Sequence, residues 1–404
     1  MTTLARRLGT ADAVVIGLGS MLGAGVFVVF APATAAAGGA GMLVALAVAG
    51  LVAYCNATSS ARLAARYPES GGTYVYGRER LGDFAGYLAG WCFVVGKTAS
   101  CAAMALTIGA YVAPAWARPV GLAAVVALTA VNLLGVTKTA AVTRALVAVT
   151  LAVLALVVTV GVVRGSTVHI GQSHWDGVLT AAGLLFFAFA GYARIATLGE
   201  EVRDPERTIP RAVPVALGIV LAVYLVVGAV ALVVLGAARL ATAGAPLADV
   251  VSAARAPWLA WPVRLGAGIA VVGVLLALLA GVARTALAMA RRSDLPGALA
   301  AVHPARRVPH RAQLAVGVMV MLLVAVADLR GAIGFSSFTV LVYYAIANAS
   351  AFTLGGALWR RALAALGLAG CVTLALALPW RSALAGSAVL AAGTVVYAVR
   401  RRFR

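Results

Sequence analysis

The chain has 404 residues, 63% of them hydrophobic and 11% charged, with a mean hydropathy of +1.02. Soluble domains average roughly 45–50% apolar and about 25% charged, so this composition excludes a soluble globular protein and predicts one embedded in a bilayer. The formal net charge of +20 would suggest nucleic acid in a soluble chain; here most Lys and Arg flank apolar runs, a topology signal that excludes a nucleic-acid partner.

Apolar runs of about 20 residues, enough to cross a bilayer, recur about twelve times, and none has the two-residue period of a strand. Span one, Ala13–Ala37, carries Gly17, Gly19, Gly23 and Gly25 in its middle. Glycine weakens a helix interior by about 1 kcal/mol relative to alanine, so a helix broken at mid-membrane is expected. A break frees the last carbonyls of one half-helix and the first N–H groups of the next, and in hydrocarbon such groups need a partner. The N–H groups around Gly23, Ala24 and Gly25, at the positive end of a helix dipole, suit a carboxylate. Carbonyls near Gly17, Leu18 and Phe187–Ala190 suit an ammonium. A zwitterion carries both, which points to an amino acid, with Ser20, Met21, Gly23, Ala24 and Gly25 as candidate contacts. The alternative is close helix packing, for which Gly19-x-x-x-Gly23 has the spacing.

Span two covers Ala40–Leu63, and the polar inner loop from Arg62 to Asp83 follows it. Span three, Phe84–Val112, contains Lys97, an ionisable group at membrane depth and therefore a functional candidate: a proton-binding or cation-substituting residue, unless its stem snorkels or pairs structurally. Spans four and five cover Val120–Val136 and Ala141–Val163. Span six, Gly177–Gly199, is interrupted at Phe189-Ala190-Gly191; Phe187, Phe189, Ala190 and Gly191 join the candidate site, the aromatics as gates or as packing. Arg194 follows the break and Glu200 lies at the inner end, both as coupling or gating candidates. Glu200, Glu201, Arg203, Asp204, Glu206 and Arg207 together predict an ion network that locks a loop.

Span seven covers Val213–Ala237, and the outer stretch Ala238–Trp261 is expected to form short helices. Span eight is Pro262–Met289, and the inner stretch Arg291–Arg311 carries the strongest basic cluster. Spans nine and ten are Gln313–Ala327 and Ala332–Leu354; spans eleven and twelve are Leu363–Leu378 and Ser382–Val399. This arrangement puts both termini in the cytoplasm and the protein in the cytoplasmic membrane. The interruptions in spans one and six, five spans apart, predict an inverted repeat with a site at the bilayer midplane. Cys55, Cys92, Cys101 and Cys371 fall in spans and read as packing residues. His169, His174, His303 and His310 are expected in loops. No cleavable signal, nucleotide loop, zinc spacing or nucleophile–base set is apparent, so neither an enzyme nor a resident cofactor is expected.

Several segments resemble the amino acid–polyamine–organocation (APC) superfamily of permeases: Gly23-Ala24-Gly25-Val26-Phe27, Tyr67-Pro68-Glu69-Ser70-Gly71-Gly72-Thr73-Tyr74, FFAFAGYARIATLGEEVRDPERTIPRAV from Phe186 to Val213, Ala283-Arg284 through Leu295-Pro296, and YYAIANASA from Tyr343. The resemblance implies an all-α integral membrane protein of leucine-transporter-like fold. It would be one permease domain over residues 1–404, with a 5+5 inverted repeat, about 12 transmembrane helices, and helices 1 and 6 broken. Residues 13–163 would form the first repeat, 177–354 the second, and 363–399 two peripheral helices. The implied activity is secondary transport of an amino acid or related amine by alternating access, as proton-coupled symport or exchange, with sodium coupling less expected. The lysine that some members carry in helix five is missing, Val153 standing near its place. Two alternatives remain: a metal-ion carrier on the same fold, poorly supported by Ser20 and Met21 alone, and a sensor that binds an amino acid without moving it.

Overall fold

The computed structural model describes residues 9–67, 71–135, 140–166, 170–196 and 202–402. Among them every named element is helical, and Gly38 and Ser173 pair in an isolated antiparallel bridge. The first membrane segment comprises α1 (Thr10–Met21), α2 (Ala24–Val28) and α3 (Phe30–Ala37), with Leu22 and Gly23 outside any helix. A turn at Gly38 leads into α4 (Gly39–Arg66). Gly38 has a φ of 67°, and a Cβ there would lie 2.2 Å from the Gln172 carbonyl oxygen. Only glycine fits a left-handed conformation at so close an approach.

The chain continues through α5 (Thr73–Leu81), α6 (Asp83–Val112), α7 (Ala117–Leu133) and α8 (Ala140–Arg164). Next come α9 (Val178–Phe189) and the single turn α10 (Ala193–Ala196), separated by Ala190, Gly191 and Tyr192. The second half of the chain holds α11 (Pro205–Thr242), α12 (Pro246–Ala253), α13 (Ala260–Arg291), α14 (His310–Val326), α15 (Leu329–Thr353), α16 (Leu358–Ala377) and α17 (Trp380–Arg402). At 38 residues, α11 is about 57 Å long at 1.5 Å per residue, well beyond a hydrocarbon core of about 30 Å. It holds one non-helical residue, Gly236, at φ 70°.

Among the described residues ten helices are long and apolar enough to cross a membrane, against the about twelve expected from the count of apolar runs. The other two, Trp175–Phe189 and His310–Val326, are apolar but shorter. The first stops at Phe189, before Ala190; the second stops at Val326, where Ala327 leaves the helix and the Asp328 side chain caps the next by accepting from Gly331 N–H at 3.1 Å. The short helices expected over Ala238–Trp261 are α12 and a 3-10 turn at Pro257–Leu259.

The most enclosed span is α6, with 83% of its apolar window buried, whereas α17 has only 17% and lies at the periphery. Helices α5, α7, α13, α14 and α15 all pack on α6. Small residues allow this approach: a Cβ on Gly96 would overlap Thr339 of α15 at 2.2 Å, and one on Gly90 would meet Met289 of α13 at 2.8 Å. Without a hydrophobic drive between helices in lipid, such packing and interhelical hydrogen bonds carry the association. Ser100 and Ser336 share a 2.6 Å bond between α6 and α15, and Asn348 donates to Asn56 at 2.6 Å between α15 and α4. All four cysteines are buried free thiols.

At the end of the bundle where α6 begins, one carboxylate ties α5 to the segment that follows α13. Asp294, its side chain 2% exposed, accepts from Tyr74 Oη at 2.6 Å and from Arg78 at 2.9 Å. Arg78 also reaches the exposed Asp83 at 3.4 Å. Burial first, then the bond to Asp294, push the Tyr74 phenol above its ordinary value. It therefore keeps its proton at neutral pH and remains a donor.

Candidate functional site

Two interruptions face each other at the centre of the bundle. On one side α1 stops at Met21 and α2 starts at Ala24; on the other α9 stops at Phe189 and α10 starts at Ala193. The sequence favours a stop at each place, since Gly23 (φ −103°, ψ −137°) has backbone angles outside the helical range and glycine reaches them with least strain. Gly191 permits close approach: its Cβ would sit 2.2 Å from the Ser20 carbonyl oxygen. A Cβ on Gly25 would sit 2.5 Å from the Cα of Ala188. The two segments thus touch backbone to backbone at Ser20–Gly191 and Gly25–Ala188.

Side chains reinforce that contact. The Ser20 hydroxyl lies 3.0 Å from the Gly191 carbonyl oxygen, 2.9 Å from that of Gly17 and 3.1 Å from that of Ile16. Tyr224 of α11 places its hydroxyl 2.6 Å from the Met21 carbonyl oxygen and 3.1 Å from that of Ala188, bridging both interruptions. Lys97 of α6, 7% exposed, donates from Nζ to the Ala190 carbonyl at 3.1 Å. Tyr344 of α15 donates to the same oxygen at 3.2 Å. The Tyr344 ring stacks on Tyr192 with centroids 4.8 Å apart and meets Phe186 edge-on at 5.8 Å.

The carbonyls expected to stay open for an ammonium are therefore already bonded. Ala190 accepts from Lys97 and Tyr344, which fills both lone pairs of its oxygen. Gly191 accepts from Ser20 and from the Arg194 N–H at 3.0 Å. Ala188 has Tyr224, Phe189 has the Tyr192 N–H at 3.3 Å, and Leu18 has the Leu22 N–H at 2.7 Å. The physical reason is the one that predicts the site: a carbonyl freed inside a bilayer must find a donor, and this chain supplies its own.

Of the sequence candidates, Ser20, Met21, Ala190, Gly191 and Lys97 meet in this hydrogen-bonded group. Gly23, Ala24 and Gly25 lie beside it, buried, with Gly23 against Val274 of α13. Phe189 is fully buried and packs edge-on against Tyr224 at 5.2 Å; Phe187 is buried nearby. Arg194 is exposed. Glu200 and Glu201 lie outside the described residues, as does His169. Among the described residues no three His, Cys, Asp or Glu side chains come together as a metal-ion site.

Sequence reasoning missed Tyr224 and Tyr344. Each is an aromatic within an apolar run, and only the position of its hydroxyl marks it as a bridge. For Tyr344 a signal existed, since it lies in YYAIANASA. Replacing Tyr224 with phenylalanine removes the donor shared by the Met21 and Ala188 carbonyls. A cost of about 1–3 kcal/mol is expected for the groups left unbonded, read as a lower melting temperature in detergent with the fold retained.

The family described as amino acid permease matches residues 8–400. A transporter of Mycobacterium tuberculosis, described as uncharacterized, is 63% identical over 405 residues, which cover 98% of this chain and 92% of the relative. The branched-chain amino acid permease of Bacillus subtilis is 27% identical over 353 residues, 80% of this chain and 75% of its own length. The chloroplastic cationic amino acid transporter 7 of Arabidopsis thaliana is 26% identical over 381 residues, 86% and 65% respectively.

Proposed function

Because the chain belongs to the amino acid permease family over nearly its whole length, we propose that it is a secondary transporter that carries an amino acid or related amine across the cytoplasmic membrane by alternating access. The observation that carries this reading is the meeting of two helix interruptions in the bundle centre, joined by Ser20 and Tyr224, with Lys97 bonded to the second. Interrupted helices are where a transporter exposes backbone groups to cargo. In this reading α1–α3 and α9–α10 are the broken first and sixth helices of a 5+5 inverted repeat, and both termini are cytoplasmic.

The cargo carboxylate lies against the N–H groups at the start of α2, around Gly23, Ala24 and Gly25. Its ammonium takes the remaining lone pairs of Ala188 and Phe189. Phe187 and Phe189 cover it, Arg194 and Glu200 act on the inner pathway, and no resident cofactor or metal takes part. Proton coupling runs through Lys97, whose amine can hold or release a proton beside the site. Relatives bear names for branched-chain and for cationic amino acids, so cargo varies within the family while the frame is retained.

The test is uptake and counterflow in vesicles reconstituted with the purified protein, across all common amino acids and polyamines. Saturable uptake of at least one member is expected. No uptake or exchange across the whole panel overturns the reading. A dose-dependent rise in melting temperature without counterflow would identify a sensor instead.

A further inference from the structure

The ammonium of Lys97 lies about half-way along α6, 7% exposed, bonded to the Ala190 carbonyl. Among the described residues no carboxylate stands within 4.0 Å of it: the ion pairs there are Arg78 with Asp83 and Asp294, and Arg144 with Asp12. Its neighbours include the Tyr344 hydroxyl from α15, which shares the Ala190 oxygen, and the Cys101 thiol one turn further along α6. A charge in a medium of low polarity is costly unless an opposite charge compensates it, and among the described residues this one has a carbonyl dipole for a partner and no counterion.

We infer that the cargo supplies the counterion: the protein selects an amino acid of net charge −1, whose side-chain carboxylate pairs with the Lys97 ammonium beside the α9 interruption. This rests on the reading above, that the chain is an amino acid transporter with its site at the two interruptions. A neutral zwitterion balances its carboxylate with its own ammonium and leaves Lys97 uncompensated. A cationic amino acid or polyamine adds a second positive charge and is excluded by repulsion at short range. An acidic amino acid brings a second carboxylate, and Lys97 is the cationic partner for it. The lysine also removes part of the ammonium subsite, since it occupies the Ala190 oxygen with Tyr344. With Lys97 protonated, lysine and cargo together are electrically balanced within the bilayer.

The test uses the full-length protein in vesicles with labelled L-aspartate, L-glutamate, L-leucine, L-alanine, L-arginine and putrescine at equal concentration and pH. Uptake of an acidic amino acid at least about 10-fold above the neutral ones, with none of the cations, is expected, a discrimination of about 1.4 kcal/mol. Lys97→Gln should lose that preference, and Lys97→Arg should keep it. Should the glutamine variant fail to fold, thermal shifts of the wild type decide: glutamate or aspartate must raise the melting temperature at lower concentration than leucine or arginine. Wild-type preference for neutral or cationic amino acids overturns the charge selection while leaving the transport reading intact. Equal acidic uptake by wild type and Lys97→Gln overturns the role of Lys97. Uptake of nothing in the wider panel overturns the transport reading itself.

Discussion

Gly25→Ala is expected to lower uptake of the best-carried substrate by about 10- to 100-fold. The added methyl carbon would sit 2.5 Å from the Cα and 2.6 Å from the Cβ of Ala188. Backbone cannot rotate out of the way as a flexible side chain does, so α2 and α9 must separate. Overpacking of this kind costs about 1–3 kcal/mol, and each 1.4 kcal/mol is about a factor of ten in rate or occupancy. The separation also draws Tyr224 away from one of the two carbonyls it bridges. A matched control is Gly281→Ala, on α13, where a Cβ meets nothing within 4 Å; uptake there should match wild type. Vesicle uptake at equal protein density checks both, and a Gly25→Ala protein as active as wild type removes close backbone contact from the mechanism.

Asp294→Ala is expected to give the largest loss of stability. The carboxylate is buried, accepts from Tyr74 and Arg78, and joins the end of α13 to α5. Breaking a buried ion pair from one side costs about 3–5 kcal/mol, because the remaining charge stays desolvated. Asp83→Asn touches the same guanidinium at 3.4 Å, but its carboxylate is 72% exposed. Water and salt screen such a pair, and a change under about 1 kcal/mol is expected. Large membrane proteins commonly unfold irreversibly, so the measurement is the half-life of monodisperse protein in detergent at fixed temperature. Equal half-lives for the two variants would contradict the assignment of Asp294 as the tie.

Much of the helical frame was legible because a bilayer enforces it: apolar length fixes spans, and backbone satisfaction fixes helices. The bounds of α4, α6 and α8 lie within a few residues of the expected spans. Legibility failed where one residue interrupts a pattern. Val120–Val136 extends past α7, which ends at Leu133, whereas Gln313–Ala327 lies within three residues of α14, His310–Val326, one of the two shorter apolar helices. At the site, glycines announce where helices stop, as at Gly23 and Gly191, because backbone geometry is a local property. Which donor then reaches the freed carbonyl is a tertiary matter. Tyr224 and Tyr344 come from segments 203 residues from Met21 and 154 from Ala190, and nothing in the apolar runs around them distinguishes a hydroxyl that bridges from one that does not. Lys97 was conspicuous as a charge in a span, yet its partner was not.

The bridge at Gly38 and Ser173 carries a consequence for motion. Gly39 N–H donates to Gln172 at 2.9 Å, His174 N–H to Ala37 at 2.8 Å, and Gly41 N–H to the Ser173 hydroxyl at 3.2 Å. Three bonds rivet the corner between α3 and α4 to the segment that leads into α9, one at the last residue of α3 and two from the first turn of α4. Any movement that drew the corner and the segment apart would have to break all three bonds together.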